Sequence, residues 1–320
     1  MNNTNNPSIS VVMSVYKEPL AWIQATIDSI LLQTFSDFEF IIINDNPNDD
    51  KLQYFLEENK DKDDRIIIVK NAENIGLTKS LNKGISIARG KYIARMDADD
   101  IAYPIRFEKQ YSFLEAHHNI GVLGSSVDFF GTRNGSQLAI LHHNNMYLFL
   151  ESCFAHPTVM MRKELFKQFS YDESIRFAQD YDLWERMYSS GIQFANIETP
   201  LLKYRFSKIQ ISTKKSLEQG NIARHIRRRA LDSYCKLNNY TSRIGNEGVS
   251  FLYISKLMNE INLPKDIRKI LLYRLILSID SNLIEYIHSL FSSKHVLNLS
   301  LKNIASLIFL KLKGENLNKF

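Results

Sequence analysis

Four short apolar runs, rich in β-branched residues, are spaced through the first hundred positions, and each gives way to polar or acidic residues. Ile9 to Val15 (ISVVMSV) leads into Tyr16-Lys-Glu-Pro19, and Phe38 to Ile43 into Asn44-Asp45-Asn46-Pro47. Arg65 to Val69 leads into the stretch Asn71 to Gly76, and Lys91 to Met96 into Asp97-Ala98-Asp99-Asp100. Short, continuous apolar runs of this kind suit strands buried on both faces of a parallel sheet. Helical spacing fills the intervals: Trp22, Ile23, Ile27, Ile30 and Leu31 within Trp22 to Gln33, then Lys51 to Asn59, then Gly76 to Arg89. Strand–helix alternation predicts an α/β fold with a mostly parallel sheet flanked by helices. Ligands of such sheets bind beyond the carboxyl ends of the strands, where these polar segments converge.

The fourth run makes little sense as packing alone. Asp is depleted in strands, and like charges this close repel unless a cation lies between them. Hard oxygen ligands suit Mg²⁺ or Mn²⁺, held through one or two carboxylates while substrate phosphates complete the shell. One reading of Asp97, Asp99 and Asp100 is therefore a metal-assisted phosphate site. The other is a solvated acidic loop that happens to follow a strand.

Composition narrows the class. A chain of 320 residues, 44% hydrophobic and 23% charged, is long enough for a large core and for about two domains. A formal net charge of +5 is too mild to argue for nucleic acid. The cysteines, Cys153 and Cys235, supply neither a disulfide framework nor a thiolate zinc site, which fits a reducing cytoplasm. The start, MNNTNNPSIS, lacks the basic-then-apolar order of a signal peptide. Apolar stretches near Ile270 to Ile279 and Ile304 to Leu312 are short and flanked or broken by Lys and Arg, so a soluble or peripheral protein is expected.

Five segments in order carry a resemblance: ISVVMSVYKEP, FEFIIINDNPNDD, NIGLTKSLNKGISIARGKYIARMDADD, AHPTVMMRKELF and FAQDYDLWERM. Together they resemble family 2 glycosyltransferases of the GT-A nucleotide-diphospho-sugar transferase fold, over residues 8 to 212. The nearest flavour is the bacterial subgroup that builds lipopolysaccharide, O-antigen or capsule. The resemblance implies a catalytic domain over residues 1–212 and a helical C-terminal region over 213–320. It also implies a UDP-sugar donor, a divalent cation (Mn²⁺ or Mg²⁺), and a glycan or lipid-linked glycan acceptor.

Carried over residue by residue, Ser14 and Tyr16 border the base, and Asp45 stands where a carboxylate accepts from the uracil N3–H, with Asn44 and Pro47 departing from the usual Asp-Asp-Gly-Ser. As a plain reading, Asp45 is an ordinary turn residue. Asn74, Gly76 and Lys79 lie where the family covers base and ribose, and Lys79 reads equally as a solvated helix residue. Asp99 would be the direct metal ligand, with Asp97 on the ribose or on the metal through water, and Ala98 between them at the nucleotide-sugar. Arg95 would orient the acids by an ion pair or touch the sugar. Asp100 and Pro104 read as shaping the turn into a helix over Ile105 to His117. His156, in Ala155-His-Pro-Thr158, is a candidate for the sugar or acceptor subsite, or a structural histidine before a strand. Asp180 takes the position of the general base of an inverting transfer, with Gln179 where Glu is usual. Alternatively it caps a helix over Tyr181 to Ser190. Arg205 fits a diphosphate clamp, and Ser207 replaces a His that can assist the metal. His142 and His143 receive no role.

Beyond residue 213 the motifs stop. Arg224, Arg227, Arg228 and Arg229, with His225, form a basic stripe, and apolar residues continue at helical spacing. Peripheral contact with an anionic leaflet, a helical bundle or homodimer surface, and acceptor recognition all fit that pattern. The chain lacks a Gln-x-x-Arg-Trp signature, so a non-processive transferase is expected. A sugar-phosphate nucleotidylyltransferase is the rival enzyme, though Tyr16-Lys17-Glu18-Pro19 lacks its Gly-rich phosphate loop. A non-catalytic nucleotide-binding assembly module is the rival outside enzymes.

Overall fold

The computed structural model describes residues 6–137 and 152–207, together with Ile222, Ala223, His225, Ile226, Arg229, Ala230 and Ser233. By its own contacts the chain divides into Met1–Asn238 and Asn239–Phe320, so the boundary expected after residue 212 falls inside the first unit. The basic positions Arg224, Arg227 and Arg228, the pair His142 and His143, and the apolar patterns from 270 onward lie outside the described residues.

The expected alternation is present. It runs β1 (Ile9–Val15), α1 (Leu20–Leu31), β2 (Phe38–Asn44), α2 (Asp50–Lys60), β3 (Ile66–Lys70), α3 (Leu77–Ile87) and β4 (Tyr92–Met96). There follow β5 (Ile101–Ala102), α4 (Arg106–Ala116), β6 (Ile120–Gly131), β7 (Gly135–Gln137), β8 (Met160–Arg162), α5 (Gln179–Ser189) and β9 (Gln193–Phe206). Within the sheet the order is β3-β2-β1-β4-β8-β6-β9-β5, with β7 on β6. β1, β2, β3 and β4 pair in parallel, β8 is antiparallel to both β4 and β6, and β9 runs parallel to β6.

Register explains why the polar segments meet. Val15 aligns with Asn44, Asn44 with Lys70, and Met13 with Met96, so the carboxyl ends of the first four strands finish side by side. Every residue of β2 and of β4 is buried, which requires their charged side chains to find partners inside. Glu39 does so at the opposite end of the sheet, accepting from Ser10 Oγ at 2.6 Å, Arg89 N at 2.6 Å and Arg89 Nε at 2.8 Å. Asp49 caps α2 by accepting from Leu52 N at 3.0 Å. α3 starts after Gly76, whose φ of +85° only glycine adopts readily.

The core packs Ile23, Ile27 and Ile30 of α1 and Phe107 and Leu114 of α4 onto Val11, Met13, Phe40 and Ile42. α3 comes close enough to β1 that glycine is required at Gly84, where a Cβ would lie 2.6 Å from Val12 Cγ1. Gly90, in the turn into β4, is tighter still. A Cβ there would sit 2.5 Å from Ser10 N and 2.6 Å from Ile9 C, and backbone cannot swing aside as a side chain can. Gly90→Ala is therefore expected to destabilise the protein by about 1–3 kcal/mol. Urea denaturation should show a lower midpoint at unchanged slope.

Candidate active site

At the end of β4 the chain turns through Asp97, Ala98, Asp99 and Asp100. One carboxylate oxygen from each Asp lies within 4.8 Å of the others. Asp97 and Asp99 are partly exposed, Ala98 is buried, and Asp100 is fully buried. Asp100 Oδ1 accepts from Arg205 N at 2.7 Å, while its Oδ2 is buried with no hydrogen-bond partner. Burial, and then the like charges of Asp97 and Asp99, push the Asp100 carboxyl well above the ordinary carboxylate range. An all-oxygen donor set with an orphaned buried oxygen is what a hard divalent cation would satisfy, so these three residues fit Mg²⁺ or Mn²⁺.

Two buried cations lie beneath the acids. Arg95, fourth in β4, pairs with Asp97 Oδ1, and its Nε is buried without a partner. Burial works against its charge, but Asp97 more than offsets this and the guanidinium is held above its usual value. Arg106, at the start of α4, donates to Arg95 O at 2.8 Å and to Gln110 Oε1 at 3.1 Å. Burial pulls Arg106 down to about 9, so it stays charged at neutral pH. Arg205 lies across the acidic turn from β9. Its Nε donates to Asp99 O at 2.7 Å, and its guanidinium carbon lies 4.4 Å from the Trp22 ring centre and 4.3 Å from that of Phe130.

Opposite, α5 begins at Gln179, two residues before the expected start. Asp180 therefore stands in the first turn, and the cap position belongs to Ala178, which offers no side-chain hydrogen bond. The capping role weighed for Asp180 is corrected by that geometry. Ala178 takes a left-handed conformation (φ 57°, ψ 28°), the one non-glycine residue among those described with positive φ. Such a conformation costs about 1–2 kcal/mol for a residue with a Cβ. Burial raises the Asp180 carboxyl, Arg95 opposes that, and Asp97 adds to it, so all three share one field.

His156 lies in the 3₁₀ turn His156–Thr158 before β8. Its Nε2 is 2.7 Å from the hydroxyl of Tyr171, and its ring stands edge-on to Trp184 of α5. Burial and then Arg95 hold the imidazole well below its usual value, so it is neutral. Tyr171 is anchored twice to Asn82 of α3, donating its N–H at 3.0 Å and accepting at its carbonyl at 2.9 Å. Sequence reasoning missed Tyr171, because nothing near Ser170-Tyr-Asp-Glu173 marks a hydroxyl that reaches back fifteen positions. It missed the Trp22 and Phe130 rings for the same reason.

The second cluster gathers at the ends of β2 and β3. Asp45 is buried, and both its oxygens are occupied. Asn71 Nδ2 (2.8 Å) and Ile75 N (2.9 Å) donate to Oδ1, while Asn74 Nδ2 (3.0 Å) and Gly76 N (2.9 Å) donate to Oδ2. A carboxylate has about four acceptor positions, so an imide N–H would have to displace one of these donors. In this geometry Asp45 holds the turn from Asn71 to Gly76 rather than presenting a free oxygen to a base. Ser14 is half-buried near the end of β1, and Tyr16 is 38% exposed at the rim. Glu18 accepts from Tyr16 N at 2.7 Å and so folds the loop after β1. Lys79 is exposed on α3 and takes no part in either cluster among the described contacts.

The arrangement can hold a cation at the acidic turn, and it places a raised carboxyl, Asp180, within reach of the charges on Arg95 and Asp97. Residues 10–177 match the sequence profile of Glycosyl transferase family 2. The chain belongs to that family. An uncharacterized glycosyltransferase of Methanocaldococcus jannaschii is 42% identical over 208 residues, covering 63% of this chain and 71% of that protein. Another from Haemophilus influenzae is 31% identical over 291 residues, 86% of this chain and 88% of its own. The O-antigen biosynthesis glycosyltransferase WbnJ of Escherichia coli is 35% identical over 65% of this chain and 82% of itself. Among solved structures, S. aureus TarS 1–349 in complex with UDP-GlcNAc superposes with a TM-score of 0.59 at 15% identity, over 97% of this chain and 93% of that one. The likeness is one of fold, and this family 2 glycosyltransferase has the GT-A architecture its segments imply. No helix among the described residues is long and apolar enough to cross a membrane.

The Asp45 geometry has a measurable consequence. Asp45→Asn replaces one acceptor oxygen by an amide that faces two donors. A loss of about 1–3 kcal/mol in stability is expected, seen by thermal denaturation.

Proposed function

We propose that this enzyme is an inverting, metal-assisted glycosyltransferase that moves a hexose or N-acetylhexosamine from a UDP-sugar to a hydroxyl of a bacterial surface glycan. The observation that carries this reading is the pairing of two features in one electrostatic field. The Asp97, Asp99 and Asp100 oxygens lie within 4.8 Å of one another, and the Asp180 carboxyl, in the first turn of α5, is close enough to feel both Arg95 and Asp97. Relatives named for O-antigen and amylovoran biosynthesis support the acceptor class. The structures of S. aureus TarS in complex with UDP and with UDP-GlcNAc support the donor class.

In this reading Asp180 accepts the acceptor hydroxyl's proton as the oxygen attacks the anomeric carbon from the face opposite the leaving group. The bond from that carbon to the diphosphate oxygen breaks, and its electron pair leaves with UDP. Asp97 and Asp99, with Asp100 beneath, would hold a divalent cation whose contribution when bound is to neutralise charge on the diphosphate. Arg95 pairs with Asp97 and holds it in place. Arg205, held between two rings, keeps a fixed cation beside the acidic turn. The loop after β1 argues against a nucleotidylyltransferase, because the Tyr16 amide that a phosphate would need is already bound by the Glu18 carboxylate.

General-base catalysis by a positioned carboxylate is worth about 10²- to 10⁴-fold. Asp180→Asn should therefore lower kcat by that order while leaving UDP affinity within a few-fold. The base works deprotonated, and burial raises its pKa. Activity should thus fall with acid at a higher pH than an ordinary Asp would set, and the acidic limb should be absent in Asp180→Asn. Unchanged transfer by that variant would sink the mechanism.

The donor is tested separately by thermal shift against UDP-, GDP-, dTDP- and CMP-sugars with and without Mn²⁺. A ligand at 100 times its Kd stabilises by about 2.7 kcal/mol. The expected result is stabilisation by a UDP-sugar that needs Mn²⁺ and is lost in Asp99→Asn. A preference for another base, or a metal response that survives Asp99→Asn, would overturn the assignment.

A further inference from the structure

Asp182 and Glu185 lie on the helix that begins with the proposed base, and neither belongs to the matched family segment, which ends at residue 177. Both side chains are only 1% exposed. Two carboxylates this deeply buried are costly unless neutralised and hydrogen-bonded. Their partner comes from beyond β9. Arg229 Nη2 donates to Asp182 Oδ1 at 2.5 Å, and Arg229 Nε donates to Glu185 Oε2. Ser233 Oγ adds a bond to Glu185 Oε1 at 3.1 Å. From α5 itself, Arg186 Nε reaches Asp182 Oδ2 at 2.8 Å and Ser189 Oγ reaches Glu185 Oε1 at 2.5 Å. Ala223, Ile226 and Ala230, all buried, seat the helical residues that carry Arg229. Its place in the sequence's basic stripe thus gives way to a role inside the catalytic unit.

We propose that Arg229 is a positioning residue for the transfer reaction: by bridging Asp182 and Glu185 it locks the first turn of α5, and with it the Asp180 carboxylate. The link is short. Asp182 N donates to Ala178 O at 3.0 Å, the bond that closes the turn containing Gln179 and Asp180. That turn starts from the left-handed Ala178, a conformation held only if its surroundings over-determine it. Freed from Arg229, the Asp182 and Glu185 charges would seek water and draw the helix start out of register with β4. The nucleotide clusters on β1, β2 and β4 share no hydrogen bond with Arg229 and would be left intact. The inference rests on Asp180 acting as the base.

The test compares Arg229→Met, Asp180→Asn and the double variant in the full chain, below the melting temperature of each. Expected for Arg229→Met is a kcat at least tenfold lower with UDP affinity within twofold. The Arg229→Met loss should also vanish in the Asp180→Asn background, since a misplaced base and an absent one are equivalent. A merely structural role would weaken UDP binding in parallel or add its loss in full to that of Asp180→Asn. Should Arg229→Met not fold, Arg229→Lys is read on the same terms. It keeps the charge but cannot fork across two carboxylates. Parent-like kcat in the folded Arg229 variant overturns the proposal. If Asp180→Asn itself transfers normally, the base assignment falls instead, and the two failures are told apart.

Discussion

Three carboxylates gathered at the end of one buried strand repel one another, and much of the structure is arranged to make that tolerable. Unit charges 4 Å apart interact by about 4 kcal/mol at the effective dielectric of a protein surface, so the cluster needs cations close by. Arg95 comes from the same strand, Arg106 from the helix that follows, and Arg205 from β9. The strand order puts these segments side by side: β4 lies next to β1 on one flank and β8 on the other, and β9 closes over the turn through β5. Even so, Asp100 keeps an oxygen without a partner and a raised pKa. The site is electrostatically incomplete in the direction of one more positive charge.

The two clusters at the strand ends use opposite strategies. Around Asp45 every acceptor position is filled by the protein, so that turn is rigid and neutral toward incoming ligands. Around Asp97 to Asp100 the acids are crowded and under-neutralised. A diphosphate carries negative charge and cannot approach the Asp97 to Asp100 cluster unless a cation comes with it.

What could be read from the residues follows from the range of the interactions involved. Strands β1 to β4 were legible because parallel strands buried on both faces leave continuous apolar runs, and their polar ends stand out against that background. The acidic turn at Asp97 to Asp100 was legible because it sits in a short local motif. Three features were not. Asp45 was expected to face a ligand, but its four donors come from a turn 26 to 31 residues away. α5 was expected to start at Tyr181, because nothing local announces an alanine willing to take φ 57°. Arg229 was placed on an outer stripe, since helical periodicity cannot tell an arginine facing solvent from one facing two buried acids 44 and 47 positions earlier. Two of these misses are long-range polar contacts and one is a local backbone conformation, interactions that composition and spacing do not encode.

α5 is where these contacts meet. One end of the helix presents Asp180 to the field of Arg95 and Asp97, while Asp182 and Glu185 on its other side depend on a cation from beyond the sheet. Between them, Trp184 is fully buried against Phe154 and His156. A helix with a reactive face, an apolar middle and an ion-paired back cannot rotate or slide without breaking one of the three. That constraint makes the left-handed Ala178 tolerable: its strain of about 1–2 kcal/mol is smaller than the cost of exposing any one of those faces. The first turn of α5 is tied down from behind, where Arg229 bridges Asp182 and Glu185.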